Sequence, residues 1–361
     1  MTFGAAKREI ETPALLIDLD TMEDNIEKMA RYFRGVKSSL RAHTKTHKSP
    51  TIALKQINAG SRGICCQKLG EAEVMANHGI RDILITSEIV DPEKIQRLVR
   101  LARSHDVKVV VDNLTVARAT SEAARREGVR QGVIVEIDVR KKRCGVIPGE
   151  PTVNFVKKVV ELEGLDFRGL MGYEGPFFDI PDFEKRKAAA QEVLRSLKET
   201  VDMVESEGIV VQDVSAGSTS THSVAGEYPK VTEIQAGSYV FMDSTYKKLG
   251  GLDFECALTV LATVISRPIP ERVVVNTGWK AITQEFGMPL VKDSEDAKVY
   301  HMSEEHAMIR VDPTSNIDVG DKLELVPSHC CTTVNLHDQY YGVRKDKVEV
   351  VWPILARGKF Q

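Results

Sequence analysis

Residues 108–138 read KVVVDNLTVARATSEAARREGVRQGVIVEID, and this stretch shows the repeating unit on which the fold is built. It opens with a short β-branched run, continues with an amphipathic segment from Asn113 to Arg126, and ends with a second β-branched run at 132–138. Apolar residues at helical spacing predict a helix for the middle segment, and the flanking runs predict buried strands. This order indicates a parallel β-sheet with a helical crossover.

The same alternation extends outward over residues 14–240. An opening strand is predicted at Ala14 to Leu19, followed by a helix from Thr21 through Met29. Eight further strands are predicted near residues 38–45, 63–67, 82–86, 108–112, 132–138, 167–173, 210–215 and 232–237. Eight parallel strands favour a closed (β/α)8 barrel over an open doubly wound sheet. No G-x-G-x-x-G fingerprint follows the first strand, which disfavours a dinucleotide-binding fold.

The pattern changes after about residue 250, where helical periodicity is largely lost. Alternating segments are separated by turn-forming Asn, Asp, Gly and Pro, which predicts an antiparallel β domain at the carboxyl end. The predicted strands of this domain lie at 257–265, 272–276, 307–311, 322–326 and 348–352.

Composition excludes several classes of protein. The chain has 361 residues, 49 basic and 52 acidic, for a formal charge of −3, which argues against a nucleic-acid-binding protein. No run of about 18 consecutive apolar residues occurs in the sequence, so no membrane-spanning helix is predicted. The N-terminus lacks an apolar signal-peptide core, so we expect a cytoplasmic protein with reduced cysteines. Adjacent cysteines at 65–66 and 330–331 rarely pair with each other, and we expect no disulfide framework.

The first candidate site is RAHTKTHK, residues 41–48, beyond the first barrel strand. Barrel active sites lie at the carboxyl ends of the strands. On an extended strand, Lys45 would share a face with His43. A lysine directed into the barrel mouth is partly desolvated, which favours a neutral amine suited to Schiff-base chemistry. The alternative is a basic loop that binds a phosphate or meets solvent.

Two polar loops form the second candidate site. They are VSAGSTST at 214–221, after the seventh strand, and QAGSY at 235–239, after the eighth. Barrels commonly bind a phosphate at these two loops. Small residues let backbone N–H groups approach the oxygens, and Ser or Thr hydroxyls add donors. Either loop alone would suit an ordinary polar turn, but the two together favour a phosphate site.

The third candidate site is SHCCT, residues 328–332. His329 and Cys331 are two residues apart, so an extended backbone would place both on one face as a two-ligand clip. Imidazole with thiolate favours zinc, with cobalt or manganese as alternatives. Two protein ligands leave positions for water or substrate, as in catalytic sites. The competing interpretation is a buried cysteine pair beside a hydrogen-bonded histidine.

Two further residues follow barrel strands and are placed to reach a bound ring. Arg143 lies in EIDVRKKRCG at 136–145, and Tyr173 lies in GYEG at 172–175. Taken singly, Arg143 is more simply interpreted as a charged loop residue, and Tyr173 as an aromatic residue at the edge of the barrel.

Taken together, these motifs resemble the D-threonine aldolase and D-serine dehydratase family, whose members are fold-type III pyridoxal phosphate enzymes built like alanine racemase. The resemblance extends from Thr12 to Gly358, almost the whole chain. Its most specific pieces are His-x-Lys-Thr-His-Lys at 43–48, GSYVFMD at 237–243, SEEH at 303–306 and HCC at 329–331.

The resemblance implies roles for individual residues. Lys45 would form the Schiff base with pyridoxal phosphate, Arg143 would lie near the pyridine nitrogen, and Tyr173 beside the ring. His329 and Cys331 would bind a divalent metal, zinc or manganese. Further cofactor-binding positions would be Gln67, Ser218, Thr219, Gly237, Ser238 and Tyr239. The catalytic candidates are Lys45, Tyr173 and His43.

The implied reaction is metal-assisted cleavage of a β-hydroxy-D-amino acid, such as D-threonine, to glycine and an aldehyde. The alternative is dehydration of D-serine or 3-hydroxy-D-aspartate, with ammonia release. Cys331 resembles the zinc-dependent dehydratases, because aldolases usually carry a carboxylate there. Aldolases also tend to have a histidine where this chain has 177–179, whereas 235–243, 333–338 and 350–353 resemble the aldolases. A fold-type III racemase or decarboxylase, and a non-catalytic pyridoxal phosphate-binding protein, are weaker alternatives.

The resemblance also implies a domain division and an assembly. Residues 1–20 would contribute an N-terminal strand to the β domain, 21–248 would form the cofactor-binding barrel, and 249–361 would form the β domain with the metal ligands. A homodimer is expected, because in this fold the β domain of one chain faces the barrel of the other.

Overall fold

A computed structural model describes residues 4–361 of the chain, and Met1, Thr2 and Phe3 lie outside the described residues. The predicted N-terminal segment 1–20 is therefore covered from Gly4 onward. The described chain opens with strand β1 (Ala14–Asp18) and helix α1 (Leu19–Arg34).

Eight parallel strands form a closed barrel, in which neighbours in sequence pair and the last strand pairs back with the first. The closure confirms the predicted (β/α)8 barrel and excludes the open sheet. The strands are β2 (Ser39–His43), β3 (Gly63–Cys66), β4 (Asp82–Ile85), β5 (Asp106–Val111), β6 (Gln131–Glu136), β7 (Leu165–Met171), β8 (Asp213–Ala216) and β9 (Glu233–Ile234). The intervening helices are α2 (Pro50–Asn58), α3 (Leu69–Asn77), α4 (Pro92–Leu101), α5 (Leu114–Glu127), α6 (Glu150–Val160), α7 (Phe183–Ser206) and α8 (His222–Ala225).

Local sequence explains where the crossover helices begin and end. Before α4, the Asp91 side chain accepts the backbone N–H groups of Glu93 and Lys94 at 2.9 and 3.1 Å. Asn113 caps α5 in the same way, and α5 ends at Gly128, whose φ of +69° suits glycine. These caps fix the ends of the loops that carry the candidate site.

The barrel interior is apolar in the middle and charged at the amino ends of the strands. Buried Arg41 lies 2.7 Å from Glu233 and 2.6 Å from Asp82, measured from its Nε and Nη1 atoms. Lys108 Nζ joins Asp82 at 2.7 Å to Asp106 at 2.9 Å. The three acidic residues open β9, β4 and β5, so the charged layer lies at the end of the barrel opposite the candidate residues.

The C-terminal part forms the predicted antiparallel β domain, as a nine-stranded sheet in the order β11-β14-β13-β12-β15-β10-β1-β16-β17. Strand β1 pairs antiparallel with β10 and parallel with β16. The strands are β10 (Leu258–Ile269), β11 (Arg272–Val275), β12 (Leu290–Val291), β13 (Lys298–Met302), β14 (Ala307–Arg310), β15 (Lys322–Val326), β16 (Gln339–Arg344) and β17 (Lys347–Pro353), and helix α9 (Cys330–Val334) precedes β16.

The chain packs as two compact units. One holds the sheet and comprises the residues up to Lys28, Thr46–Ser49 and Ser238–Arg357; the other holds the barrel and comprises Met29–Lys45, Pro50–Gly237 and Gly358–Gln361. The assignment of a segment as short as Thr46–Ser49 to the sheet unit cannot be predicted from sequence periodicity, because a turn has no periodic pattern. The division into 1–20, 21–248 and 249–361 stays a prediction.

Two findings bear on the composition. Within residues 4–361, no helix is both long enough and apolar enough to cross a membrane. In the same part of the chain, none of the six cysteines forms a disulfide.

Candidate active site

Lys45 lies in a turn over residues 44–47, beyond the carboxyl end of β2. The prediction that Lys45 shares an extended strand with His43 is wrong, because β2 ends at His43. Thr44 begins the turn, and its N and Oγ1 atoms both donate to the Cys65 carbonyl oxygen, at 2.8 and 3.0 Å. The turn, rather than strand alternation, therefore sets the direction of the Lys45 side chain.

His43 is a buried histidine that supports this turn. Its Nδ1 atom accepts the Lys45 backbone N–H at 3.4 Å, and its Nε2 atom lies 3.2 Å from Thr86 Oγ1. The Thr86 hydroxyl donates to the Cys66 carbonyl oxygen at 3.3 Å, so we assign the His43 proton to Nε2. Both ring nitrogens are therefore engaged, which favours an orienting role for His43.

Tyr173 brings two of the predicted site residues together. It follows β7, and its ring centroid lies 5.7 Å from Lys45 Nζ and 5.8 Å from Arg143 Cζ. Cations at these distances are attracted by the quadrupole of an aromatic ring. The Lys45 amine and the Arg143 guanidinium, from two different barrel loops, thus both lie near the phenol ring of Tyr173, which follows a third strand.

Arg143 also faces a buried carboxyl group at the end of β6. Its Nη2 atom lies 3.4 Å from Glu136 Oε1. Burial, reinforced by the neighbouring Glu88 carboxyl, raises the pKa of Glu136 to about 8, although Arg143 opposes the shift. The pKa of Cys144 is also raised, to about 11, chiefly by burial. Arg143 therefore pairs with a carboxyl group that burial keeps largely protonated up to about pH 8.

The loop after β8 forms a buried cluster of hydroxyl groups. Ser218 Oγ lies 3.0 Å from the hydroxyl oxygens of both Ser220 and Thr221. Glu174 closes the cluster by accepting the Gly217 N–H at 3.0 Å and the Thr221 hydroxyl at 2.5 Å. Gly217 has a φ of +79°, and a Cβ there would lie 2.8 Å from an Ile234 methyl group. This tight turn requires glycine at position 217.

Thr219 and its neighbours are also fixed by this loop. The Thr219 side chain is buried, and its carbonyl oxygen lies 2.9 Å from His222 Nδ1. Burial raises the pKa of Glu174, although its hydrogen bonds to Thr221 and Gly217 oppose the shift. The second polar loop continues past Gly237 into a 3₁₀ turn at Ser238–Val240. Ser238 and Tyr239 are buried there, and the Tyr239 ring packs 5.7 Å from Phe254.

Gln67 follows β3 and is held at the barrel end. Its Nε2 atom donates to the Thr86 carbonyl oxygen at 3.1 Å and to Ser87 Oγ at 2.6 Å. Its backbone N–H donates to Glu71 Oε2 at 2.7 Å. The amide side chain of Gln67 therefore has a fixed position beyond the ends of β3 and β4.

The predicted metal clip is formed by a helix start rather than by an extended segment. His329 is extended, with φ −147° and ψ 115°, but Cys330 and Cys331 begin α9. The prediction of a fully extended clip is wrong, because Thr333 Oγ1 and N both donate to the His329 carbonyl oxygen and close a helical turn. The His329 and Cys331 side chains nevertheless hydrogen-bond to each other.

Carboxylates surround the His329 ring. Burial opposes the charged form of His329, but Cys331, Asp243 and Glu285 together raise its pKa to about 9. Burial raises the pKa of Asp243 to about 6, although its bonds to the backbone of Tyr246 and to Cys330 oppose the shift. The pKa of the Cys330 thiol is raised well above its ordinary value by its contact with Cys331, by burial and by Asp243.

These residues fit the groups that the sequence motifs imply. A partly buried amine beside an aromatic ring and a guanidinium suits a pyridine-ring aldehyde, and the buried hydroxyl cluster suits a phosphate. Imidazole and thiol side chains in contact suit a zinc-like cation. No set of three His, Cys, Asp or Glu side chains among residues 4–361 is arranged to hold a metal ion, so a cation at His329 and Cys331 would have these two side chains as its protein ligands.

Sequence reasoning missed several residues that the site contains. Glu136 and Glu174 lie in the segments 136–145 and 172–175, but a lone acidic residue near a strand end is usually a solvated loop residue, so the sequence predicts no role for either. Glu285 is 44 residues from His329, and no local motif connects the two. A carboxylate adjacent to a predicted strand end was the only available signal for Glu136.

The comparisons with known proteins agree with this architecture. Residues 17–245 match the family model described as "Alanine racemase, N-terminal domain", and residues 257–343 match the "Putative serine dehydratase domain". Barrel, sheet and site together define the class as pyridoxal phosphate-dependent lyases with an alanine racemase-like fold.

Individual relatives narrow the class. The chain is 40% identical to the 3-hydroxy-D-aspartate aldolase of Paracoccus denitrificans (strain Pd 1222), over 99% of this chain and 94% of that protein. It is 37% identical to the D-threonine aldolase of Arthrobacter sp., over 98% and 95%. The solved D-threonine aldolase of Filomicrobium marinum superimposes with a TM-score of 0.96 at 36% identity, covering 99% of both chains. The chain belongs to the D-threonine aldolase and D-serine dehydratase family, which confirms the resemblance.

A dehydratase relative is more distant. The chain is 29% identical to the D-threo-3-hydroxyaspartate dehydratase of Delftia sp. (strain HT23), over 95% of this chain and 97% of that protein. A cysteine-to-alanine mutant of a D-threo-3-hydroxyaspartate dehydratase, solved in a metal-free form, has a TM-score of 0.89 at 27% identity, covering 97% of this chain and 98% of that one.

Proposed function

We propose that this protein is a metal-assisted, pyridoxal phosphate-dependent lyase that cleaves β-hydroxy-D-amino acids, such as D-threonine, to glycine and an aldehyde. The observation that carries the proposal is the meeting of Lys45 and Arg143 at the ring of Tyr173, at 5.7 and 5.8 Å. The aldolase relatives are 40% and 37% identical to this chain and the D-threo-3-hydroxyaspartate dehydratase relative is 29% identical, which supports cleavage over dehydration.

The barrel residues would hold the cofactor. Bound pyridoxal phosphate supplies an electron sink for the negative charge that develops at the substrate Cα. Lys45 would bind it covalently, and the Arg143 guanidinium would face the pyridine nitrogen and keep it unprotonated. Tyr173 would lie beside the ring. The phosphate and ring would be held by Gln67, Ser218, Thr219, Gly237, Ser238 and Tyr239.

The clip would hold a divalent cation, zinc or manganese. A bound cation supplies Lewis-acid polarisation of the substrate hydroxyl, which lowers the barrier to removing its proton. His329 and Cys331 would bind it through nitrogen and sulfur. Tyr173 and Lys45 are the candidates for proton transfer, while His43, with both nitrogens engaged, would orient the turn that carries Lys45.

One observation favours a second candidate function. Cys331 stands where the aldolases resembled by this chain usually carry a carboxylate, and thiolate ligation resembles the zinc-dependent dehydratases. The stretch 177–179, where those aldolases tend to carry a histidine, has none here, and its Phe177 is buried with the ring 4.0 Å from the Arg140 guanidinium. Dehydration of D-serine or 3-hydroxy-D-aspartate is therefore the alternative. Non-catalytic cofactor binding is weaker, since lone-barrel binders lack a β domain.

Product identification tests the proposal. The holoenzyme is incubated separately with D-threonine, 3-hydroxy-D-aspartate and D-serine, and the products are identified by mass spectrometry. Glycine with acetaldehyde from D-threonine supports the aldolase. Pyruvate and ammonia from D-serine, or oxaloacetate and ammonia from 3-hydroxy-D-aspartate, without glycine would replace it with the dehydratase. No product from any of the three would overturn both.

The assembly and compartment belong to the same proposal. We expect a homodimer and a cytoplasmic location, with a small β-hydroxy-D-amino acid as the substrate.

A further inference from the structure

We propose that Glu285 is a positioning residue that fixes the ring of His329 for metal binding. The inference rests on the proposed function, because it takes His329 and Cys331 as the metal ligands. Glu285 lies in the segment between β11 and β12 and belongs to none of the motifs that identify the family.

The contact determines which ring nitrogen is available to a cation. Glu285 Oε1 lies 2.7 Å from His329 Nδ1, so Nδ1–H donates to the carboxylate. In the neutral imidazole, which is the form that binds a metal, Nε2 is then the nitrogen without a proton and is the one free to ligate. A carboxylate on the other nitrogen also fixes the ring orientation and raises the basicity of the ligand.

The Glu285 carboxylate is itself held by neighbouring hydroxyl groups. Thr332, on the first turn of α9, donates its hydroxyl to Glu285 Oε1. Thr283 Oγ1 lies 2.8 Å from Thr332 Oγ1, and the Thr283 N–H donates to Thr333 Oγ1 at 3.3 Å. The 283–285 segment is thus bonded to α9 at several points, and Glu285, although its side chain is 34% exposed, is held by hydrogen bonds to His329 and Thr332.

The neighbouring residue restrains the same ring from its face. The Phe286 ring centroid lies 4.8 Å from that of His329, with 35° between the planes. A hydrogen bond at the edge and an aromatic contact on the face together limit rotation of the imidazole. Consecutive residues of one segment therefore set both the tautomer and the tilt of His329.

Asp243 cannot take this role, although it also lies near the clip. Its Oδ1 atom accepts the backbone N–H groups of Thr245 and Tyr246 at 3.1 and 2.9 Å, and its Oδ2 accepts that of Cys330 at 3.2 Å. Asp243 therefore anchors the backbone of the clip, which leaves Glu285 to hold the ring.

Metal titration of the full-length holoenzyme tests the inference. Glu285→Ala and Glu285→Gln are stripped of metal and titrated with Co²⁺, whose thiolate charge-transfer band reports binding beside Cys331. We expect the dissociation constant of Glu285→Ala to rise about 10- to 100-fold. Glu285→Gln should fall between Ala and the parent, because its amide oxygen still accepts the Nδ1–H bond. Glu305→Gln, which changes an exposed ion pair with Lys280, should bind as the parent does.

Two further readouts separate positioning from a structural role. The melting temperature of the metal-free Glu285→Ala protein should match the metal-free parent, and turnover should return at saturating metal. An unchanged Co²⁺ dissociation constant in Glu285→Ala overturns the inference. A melting temperature of metal-free Glu285→Ala well below that of the metal-free parent also overturns it, because Glu285 would then have a structural role. Binding is measured without turnover, so a parent enzyme that binds metal but cleaves no substrate would overturn the proposed function and leave this inference standing.

Discussion

Thr46 Oγ1 lies 3.3 Å from Cys331 Sγ, and Thr46 directly follows Lys45 in the chain. One hydrogen bond and one peptide bond therefore connect the proposed cofactor lysine to a proposed metal ligand. Two neighbouring residues of the same loop are anchored to the sheet unit as well. The His47 carbonyl oxygen accepts the Tyr340 hydroxyl at 2.6 Å, and the Lys48 carbonyl oxygen accepts the Ala356 N–H at 3.0 Å. Thr46, His47 and Lys48 are thus each hydrogen-bonded to residues of the sheet unit to which they belong.

Thr46→Val should weaken metal binding while leaving the cofactor in place. The valine keeps the shape of the side chain but removes a hydrogen bond to the thiol, and such outer contacts contribute about 10-fold or more to metal affinity. Two quantities are measured on Thr46→Val and on the parent: the dissociation constant of the metal, and the visible absorption of the bound cofactor. Thr51→Val, at an exposed position of α2, is the control. Unaltered metal affinity in Thr46→Val would show that the contact is incidental.

Lys45→Ala should abolish the visible absorption band of lysine-bound pyridoxal phosphate, since the substitution removes the amine to which the Schiff base is assigned. The spectrum of the purified protein is recorded after reconstitution with the cofactor. Lys48→Asn is the matched control, because Lys48 has a φ of +51° and asparagine tolerates that conformation. A band that persists in Lys45→Ala and disappears in Lys48→Asn would reassign the reactive lysine.

Arg41→Ala should destabilise the barrel strongly without touching the cofactor site. The side chain is fully buried between Glu233 and Asp82, and removing one partner of a buried ion pair costs about 3–5 kcal/mol. Urea unfolding followed by circular dichroism measures the change. Arg126→Ala removes an exposed i, i+4 pair with Glu122 and should shift the free energy of unfolding by less than about 1 kcal/mol. Equal effects of the two substitutions would refute the importance of the buried layer.

Glu136 should make the stability of the protein fall as pH rises from about 4.5 to about 8. Its pKa is raised from 4.5 to about 8, so in this range the folded state binds more protons than the unfolded state, and raising the pH favours unfolding. Glu136→Gln, which stays neutral, should flatten the pH dependence of the melting temperature. Glu199→Gln, on the exposed face of α7, should leave it unchanged. An identical pH profile in Glu136→Gln would contradict the raised pKa.

The parts of the fold that follow from periodicity were predictable, and the parts that depend on hydrogen bonds between distant residues were not. All eight barrel strands are predictable from the sequence, because each is a short segment that alternates with helical or turn segments along the chain. Strands β13 and β16 were not predicted, because KVYHM and QYYGVR mix polar, aromatic and apolar residues without clear alternation. The alternation of apolar and polar residues along the sequence therefore cannot identify these two strands.

The site shows the same limit at the level of single residues. Lys45, His329 and Cys331 were identified from short motifs, yet the turn at Thr44 and the helix that begins at Cys330 changed how their side chains are directed. Both changes arise from hydrogen bonds to backbone carbonyl groups, which a residue pattern does not specify. Glu285 shares no motif with His329, because its only connection is through space.

The dependence of glycine production on the metal tests the central claim most directly. The holoenzyme is given D-threonine, and glycine is quantified before chelation, after chelation and after addition of Zn²⁺ or Mn²⁺. We predict that glycine and acetaldehyde form in equal amounts, that chelation abolishes their formation while the cofactor absorption remains, and that added metal restores it. Undiminished glycine production by the metal-free enzyme would contradict the account.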